Sequence, residues 1–140
     1  LVTGDAGYGD ILEFRTGLAQ RRLPYMLGIS GQFAVWIGRP PADLGPSTRA
    51  VTAASIGATH VAACAALQPA RAWRRITWRN GPQRAWRARF IAVRVTPVVL
   101  WRQYRPLQTS WLLCERPLGR AAGPLKWYVS NLPRPPSCAP

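Results

Sequence analysis

LVTGDAGYGDILEFRTGLAQRRLPYMLGI, residues 1–29, joins two apolar runs through a glycine-rich break and a segment of mixed polarity. Leu1, Val2 and Thr3 read as the end of a strand. Gly4-Asp5-Ala6-Gly7-Tyr8-Gly9 reads as a tight turn, with three glycines to take backbone angles that other residues avoid. Asp10 and Glu13 have the spacing of a capping box, so a helix is expected from Ile11, with Ile11, Phe14 and Leu18 on one face. Arg21 and Arg22 suit the negative end of that helix, and Pro24 prevents its continuation. Tyr25-Met26-Leu27-Gly28-Ile29 is then a second strand. A strand–helix–strand unit of this size predicts a parallel pair.

Beyond residue 31 the character changes. Residues 38–58 carry Pro, Gly, Ser and Thr without a period and read as a loop or crossover. Residues 59–67 read as a short helix that Pro69 stops. Residues 75–79 and 87–95 alternate as strands do, with Asn80-Gly81 as a turn signal between them. Residues 111–115 and 126–130 read as further strands, connected by 117–124. The expected fold is α/β: a strand–helix–strand start over 1–31, a linking segment with a short helix over 32–70, and a mainly antiparallel β region over 71–133. The end of the chain, 134–140, reads as a disordered tail. Leu1 stands inside an apolar run with no Met before it, which reads as a cut from something longer.

Charge points to the partner. The chain has 140 residues and a formal net charge of +14. Its acids are Asp5, Asp10, Glu13, Asp43 and Glu115, so residues 14–140 hold 19 basic and 2 acidic side chains, or +17. Such a field favours a polyanion, either nucleic acid or an anionic membrane surface. Only Lys126 among the basic residues is a lysine, a bias that a GC-rich genome produces by itself, although the planar arginine fork also suits phosphate. The membrane-surface reading lacks a basic amphipathic helix, and no apolar run approaches the ~20 residues of a membrane-spanning helix. Cys64, Cys114 and Cys138 are odd in number and lack metal spacing, so a reducing cytoplasm fits them better than a disulfide framework.

Few residues can carry chemistry. Asp5 stands where an apolar strand ends, the edge at which α/β sheets gather ligand-binding side chains, and its carboxylate suits a hard divalent cation. A turn aspartate that merely accepts from nearby amides is the plainer alternative. The glycine run is neither G-x-G-x-x-G nor a P-loop, which removes a nucleotide-binding reading. Between Arg71 and Arg94, arginines interleave with Trp73, Trp78 and Trp86, a composition suited to gripping phosphates. Alternation at Arg75-Ile76-Thr77-Trp78-Arg79 places the rings mostly in the core and leaves Arg71, Arg74, Arg75, Arg79, Arg84, Arg87, Arg89 and Arg94 as the expected contact surface. His60 and Cys64, one helical turn apart, do not make a metal site, and no serine sits in a nucleophile elbow.

Asp5-Ala6-Gly7-Tyr8-Gly9-Asp10 resembles the "DAGYGD" stretch of the DDE transposases of bacterial insertion sequences. Further blocks follow in order. Residues 25–31 resemble the next core strand, Ala72-Trp73-Arg74-Arg75-Ile76-Thr77-Trp78-Arg79 resembles an "AWRxxTWR" block, and residues 87–95, 111–115 and 126–133 resemble later strands. The resemblance implies a partial RNase H-like core over 1–31 with a β-rich insertion after it. It implies that Asp5 is the second carboxylate of an Asp-Asp-Glu triad, a ligand of Mg²⁺ or Mn²⁺ ions that activate water and then a 3′-hydroxyl. It further implies double-stranded transposon ends held by the arginines, and a homodimer in the complete enzyme. The triad's first aspartate and its glutamate are missing from this sequence, because Glu115 belongs to a strand of the insertion. One carboxylate does not hold two ions, so the chain alone is expected to be inactive. A non-catalytic, basic nucleic-acid-binding module is the alternative.

Overall fold

The computed structural model describes residues 1–37, 57–79, 85–98, 109–119 and 123–134, except for the side chains of Trp78 and Arg79. The Asn80-Gly81 turn, Arg84, Asp43, most of the 38–58 segment and residues 135–140 lie outside the described residues. The fold is mixed α/β and strand-rich. Its strands are β1 (Val2–Gly4), β2 (Tyr25–Ile29), β3 (Ala34–Ile37), β4 (Thr59–His60), β5 (Arg74–Arg79), β6 (Ala85–Pro97), β7 (Ser110–Pro117) and β8 (Lys126–Ser130). The helices are α1 (Ala6–Gly9), α2 (Leu12–Gln20) and α3 (Val61–Ala66), with a 3₁₀ turn at Ala70–Ala72. One eight-stranded sheet runs in the order β1-β2-β8-β7-β6-β3-β4, and β5 pairs with β6 beside β3.

β1 and β2 are parallel, as a strand–helix–strand start requires, and the other pairings are antiparallel. β8 adds to the free edge of β2, so the sheet is continuous from the first strand to the last. Its end is clamped there by side chains. Asn131 Oδ1 accepts from the Tyr25 amide at 2.7 Å, Asn131 Nδ2 donates to the Leu23 carbonyl at 3.0 Å, and Ser130 Oγ donates to the Tyr25 carbonyl at 2.8 Å. Alternation sends Tyr25, Leu27, Ile29, Leu112 and Val129 to one face, where Leu18 of α2 and Val61 and Cys64 of α3 cover them. A smaller cluster of Ala65, Ile91 and Cys114 continues that layer under Trp73 and Trp127.

Three local expectations need correction. The glycine run is a helical turn, α1, rather than a turn with special backbone angles: among the described glycines only Gly57 and Gly119 have positive φ. Space is what its glycines supply. A Cβ on Gly9 would lie 1.7 Å from the Gly28 carbonyl oxygen. The capping box is also absent. α2 begins at Leu12 with Ile11 as an N-cap lacking any side-chain bond, and the Asp10 carboxylate instead accepts from the Ser30 amide at 3.0 Å. Ile11 is consequently exposed, while Arg15 turns inward beside Leu18. Finally, the 32–70 segment contains two strands, β3 and β4, and its helix starts two residues late, at Val61. A short strand such as Ala34–Ile37 has too few residues for its period to show.

Three substitutions follow from the backbone. Gly9→Ala must displace a main-chain carbonyl, and roughly 3 kcal/mol of destabilisation is expected from such overpacking. Gly31→Ala meets its nearest atom at 3.4 Å and is expected to be nearly neutral. Equal urea midpoints for the two variants would refute this. α2 ends in a Schellman arrangement, with Leu23 N donating to Leu18 O at 3.0 Å and Arg22 N to Ala19 O at 2.9 Å. Its left-handed position is held by Arg22 at φ 54°, where glycine is strain-free. Arg22→Gly should therefore raise stability by about 1 kcal/mol, readable as a higher melting temperature.

Candidate functional site

Asp5 follows β1 directly and caps α1. Its side chain accepts from the Gly7 amide at 3.0 Å, and its main-chain carbonyl accepts from the amides of Tyr8 and Gly9 at 3.1 Å each. The residue is exposed, and among the described residues the bond to Gly7 engages Oδ1 alone, which leaves the second carboxylate oxygen open to a ligand. The close approach of α1 to β2 puts the Asp5 main chain against Gly28, where a Cβ would stand 3.2 Å from the Asp5 carbonyl carbon. Asp5 thus sits at the carboxyl ends of both parallel strands. The capping bond and an open ligand position coexist, so the plain and the functional readings of Asp5 do not compete.

Below that loop lies a buried cation. Arg15 is 6 % exposed, its guanidinium donates to the Gly9 carbonyl, and it stacks over the Phe33 ring at 4.7 Å. Burial lowers its pKa, while Tyr25, Asp10 and Glu13 act in the opposite sense; an arginine stays protonated through such a shift. A cleft of about 270 Å³ opens beside it, lined by Asp10, Ser30, Gln32 and Phe33 among others. The sequence signal for Arg15 was its place on the inward stripe, one turn before Leu18. Its charge argued for the solvent side.

Among the described residues no group of three or more His, Cys, Asp or Glu side chains is placed to hold a metal ion. His60 Nδ1 is bonded to the Gln32 carbonyl at 2.7 Å, and Cys64 is fully buried in the core, so the two do not form a pair. Burial pushes the Cys64 thiol up, and the Cys114 thiol to about 11. Both are poor nucleophiles. Glu115 accepts from the Tyr128 hydroxyl at 2.9 Å, in a strand paired with β8.

The arginines divide between two faces. Arg75, Arg87 and Arg89 are exposed on one face of β5 and β6; Arg74, opposite Phe90, stands on the other. Arg71 is exposed in the 3₁₀ turn. Arg94 is half-buried over the Trp111 ring at 4.7 Å, and its Nη2 donates to the Thr109 carbonyl at 3.3 Å. Arg79 contributes a backbone pair with Ala85; its side chain, and Arg84, lie outside the described residues. Arg116 was missed. It belongs to the face of Arg89, its direct partner across β6 and β7, and stacks over Trp73 at 4.4 Å. Reading the register, rather than the local alternation, is what finds it. The expectation that the tryptophans of this stretch lie mostly in the core needs correction: Trp73 is half-buried, Trp86 is 44 % exposed, and the Trp78 side chain lies outside the described residues.

The family profile of the DDE superfamily endonucleases matches residues 1–85, which include Asp5 and the segment through β5. The chain belongs to the DDE superfamily. Comparisons with curated proteins and with solved structures gave no match. Membership identifies DNA as the substrate and a divalent metal as the usual cofactor of the superfamily's endonucleases. Among the described residues no helix is long and apolar enough to cross a membrane.

Tyr128 supplies a pH test of this sheet. Burial, with Glu115 beside it, raises its pKa from the ordinary 10.0 to about 12. A raised folded-state pKa contributes stability that is full below the unfolded value and is lost as pH climbs toward the folded one. The urea midpoint should therefore fall between pH 10 and 12, and Tyr128→Phe should fall less over that interval. Parallel profiles for the two proteins would contradict the assignment.

Proposed function

We propose that this DDE-superfamily chain serves a transposase of insertion-sequence type, which cuts phosphodiesters at transposon ends with Mg²⁺ or Mn²⁺ and transfers the resulting 3′ ends. In this reading residues 1–31 are part of an RNase H-like catalytic core, 71–133 are its β-rich insertion, and Asp5 is a metal-binding carboxylate. The observation that carries it is the exposed Asp5 carboxylate at the carboxyl edge of a parallel strand pair, inside the segment that the family profile matches. The exposed arginines of β5 and β6 meet the DNA. A homodimer acting on bacterial chromosomal DNA in the cytoplasm completes the picture.

The described residues fit the metals only in part. Asp5 offers one open oxygen, whereas a two-ion centre needs several carboxylates. No catalytic step is therefore assigned within these 140 residues. A basic DNA-binding module without catalysis is the second reading, favoured by that lone carboxylate beside a broad arginine surface.

The test compares two proteins on duplex DNA with Mn²⁺. The 140-residue chain is expected to leave the DNA intact. The same chain, extended by the coding sequence that flanks it on both sides, is expected to nick it, with loss of at least ~10²-fold on Asp5→Ala, as removal of a metal ligand implies. Nicking by the short chain that disappears with Asp5→Ala overturns its inactivity. Nicking by the extended chain that survives Asp5→Ala overturns the role of Asp5, and an extended chain that binds without cutting favours the module.

A further inference from the structure

The register of β5, β6 and β7 sets three arginines side by side. Arg75 is directly opposite Arg89, and Arg89 is directly opposite Arg116. Residues directly opposite share a sheet face, and Arg87, two positions along β6 from Arg89, shares it too. All four are exposed, and among the described residues none is paired with a carboxylate. Glu115 adjoins Arg116 in sequence but faces the other way, bonded to Tyr128. Like charges directly opposite one another are destabilising, and here the arrangement occurs twice in a row. Packing does not require it, since any polar side chain would serve at a solvent-facing position. Arg116 is additionally held in place by its stacking on Trp73, a ring seated on the Ala65, Ile91 and Cys114 cluster.

We infer that Arg75, Arg89 and Arg116, with Arg87 beside them, form a site for consecutive phosphates of one DNA strand that crosses β5, β6 and β7 at right angles. Neighbouring strands lie ~4.8 Å apart, so the row spans ~10 Å. Consecutive phosphates of one strand stand further apart than the ~3.4 Å rise along the helix axis, because they also wind around it, and the long arginine side chains splay to meet them. Each guanidinium fork donates two parallel hydrogen bonds to the oxygens of a phosphate. Arg74 and Arg94 lie outside this site: both are on the opposite face, and Arg94 is committed to Trp111 and Thr109. The inference rests on the proposed function only in taking DNA as the ligand. Neither Asp5 nor a metal takes part.

The experiment is duplex-DNA binding by the 140-residue chain in EDTA across a salt series. Replacing R75Q/R89Q/R116Q together should reduce the slope of log affinity against log salt by about 2.7, at ~0.9 per lost phosphate contact. The charge-matched variant K126Q/R134Q/R21Q should change it by less than about 1. Relief of repulsion should also make the row variant melt at or above the wild-type temperature, which separates lost binding from lost fold. Equal slopes for the two variants overturn the site, as does tighter binding of the wild type to anionic lipid vesicles than to DNA. Should the triple variant not fold, Arg116→Gln alone is expected to lower the slope by about 0.9, and an unchanged slope overturns the site. A slope that falls as expected, in a protein whose extended form never cuts, leaves the site standing and removes the proposed function.

Discussion

The backbone contact between Gly9 and Gly28 governs the geometry of the end of the sheet where Asp5 stands. The missing Cβ of Gly9 is what lets α1 lie this close to β2, since that atom would stand 1.7 Å from the Gly28 carbonyl oxygen, while a Cβ on Gly28 would press on Ala6 N at 3.1 Å. From that contact follow the other constraints. Asp5 is drawn to the carboxyl edge of the sheet, Asp10 comes within reach of the Ser30 amide, and the Gly9 carbonyl is aimed at Arg15. A buried guanidinium is tolerable there because it has a carbonyl to donate to and a ring to lie on. Loosening the glycine contact would disturb all three, because each depends on how close α1 lies to β2.

The long strand β6 organises the other half. It carries β7 along one edge and divides the opposite edge between β5 and β3. Its inner residues, Ile91 and Val95, belong to the layer roofed by α3 and its neighbours. Further out on the same face that roof stops, and the inward positions become Arg89 and Arg87. One strand thus passes from core to charged surface without changing its alternation. That accounts for arginines occupying positions which a period-two pattern assigns to an apolar face. The cost is electrostatic, and binding a polyanion would offset it.

The parts of the fold legible in sequence were those whose signals are local and dense. β2 and β8 fall on the residues that their apolar runs indicate, and β5, β6 and β7 need only small changes at their ends. β3 was hidden because a four-residue strand has no measurable period and its partners are far away in sequence. The capping box misled because Asp10 has a tertiary partner, the Ser30 amide, that competes with the local one. The place of Asp5 directly after a strand was legible from the apolar run before it. Arg15 and Arg116 were not, since a charged residue on an inward stripe and a cross-strand neighbour both become visible only when distant segments are set side by side.

The clamp of Asn131 on Leu23 and Tyr25 has a consequence in time. The residues it joins are separated by 106 to 108 positions, so β2 is made long before the strand that completes its edge. At a synthesis rate of about 5–20 residues per second, that edge stays unpaired for roughly 5–20 s on the ribosome. An exposed strand edge of this kind invites pairing with another nascent chain. The protein's yield in a cell should then be governed less by how stable the finished sheet is than by what shelters β2 while the rest of the chain is still emerging.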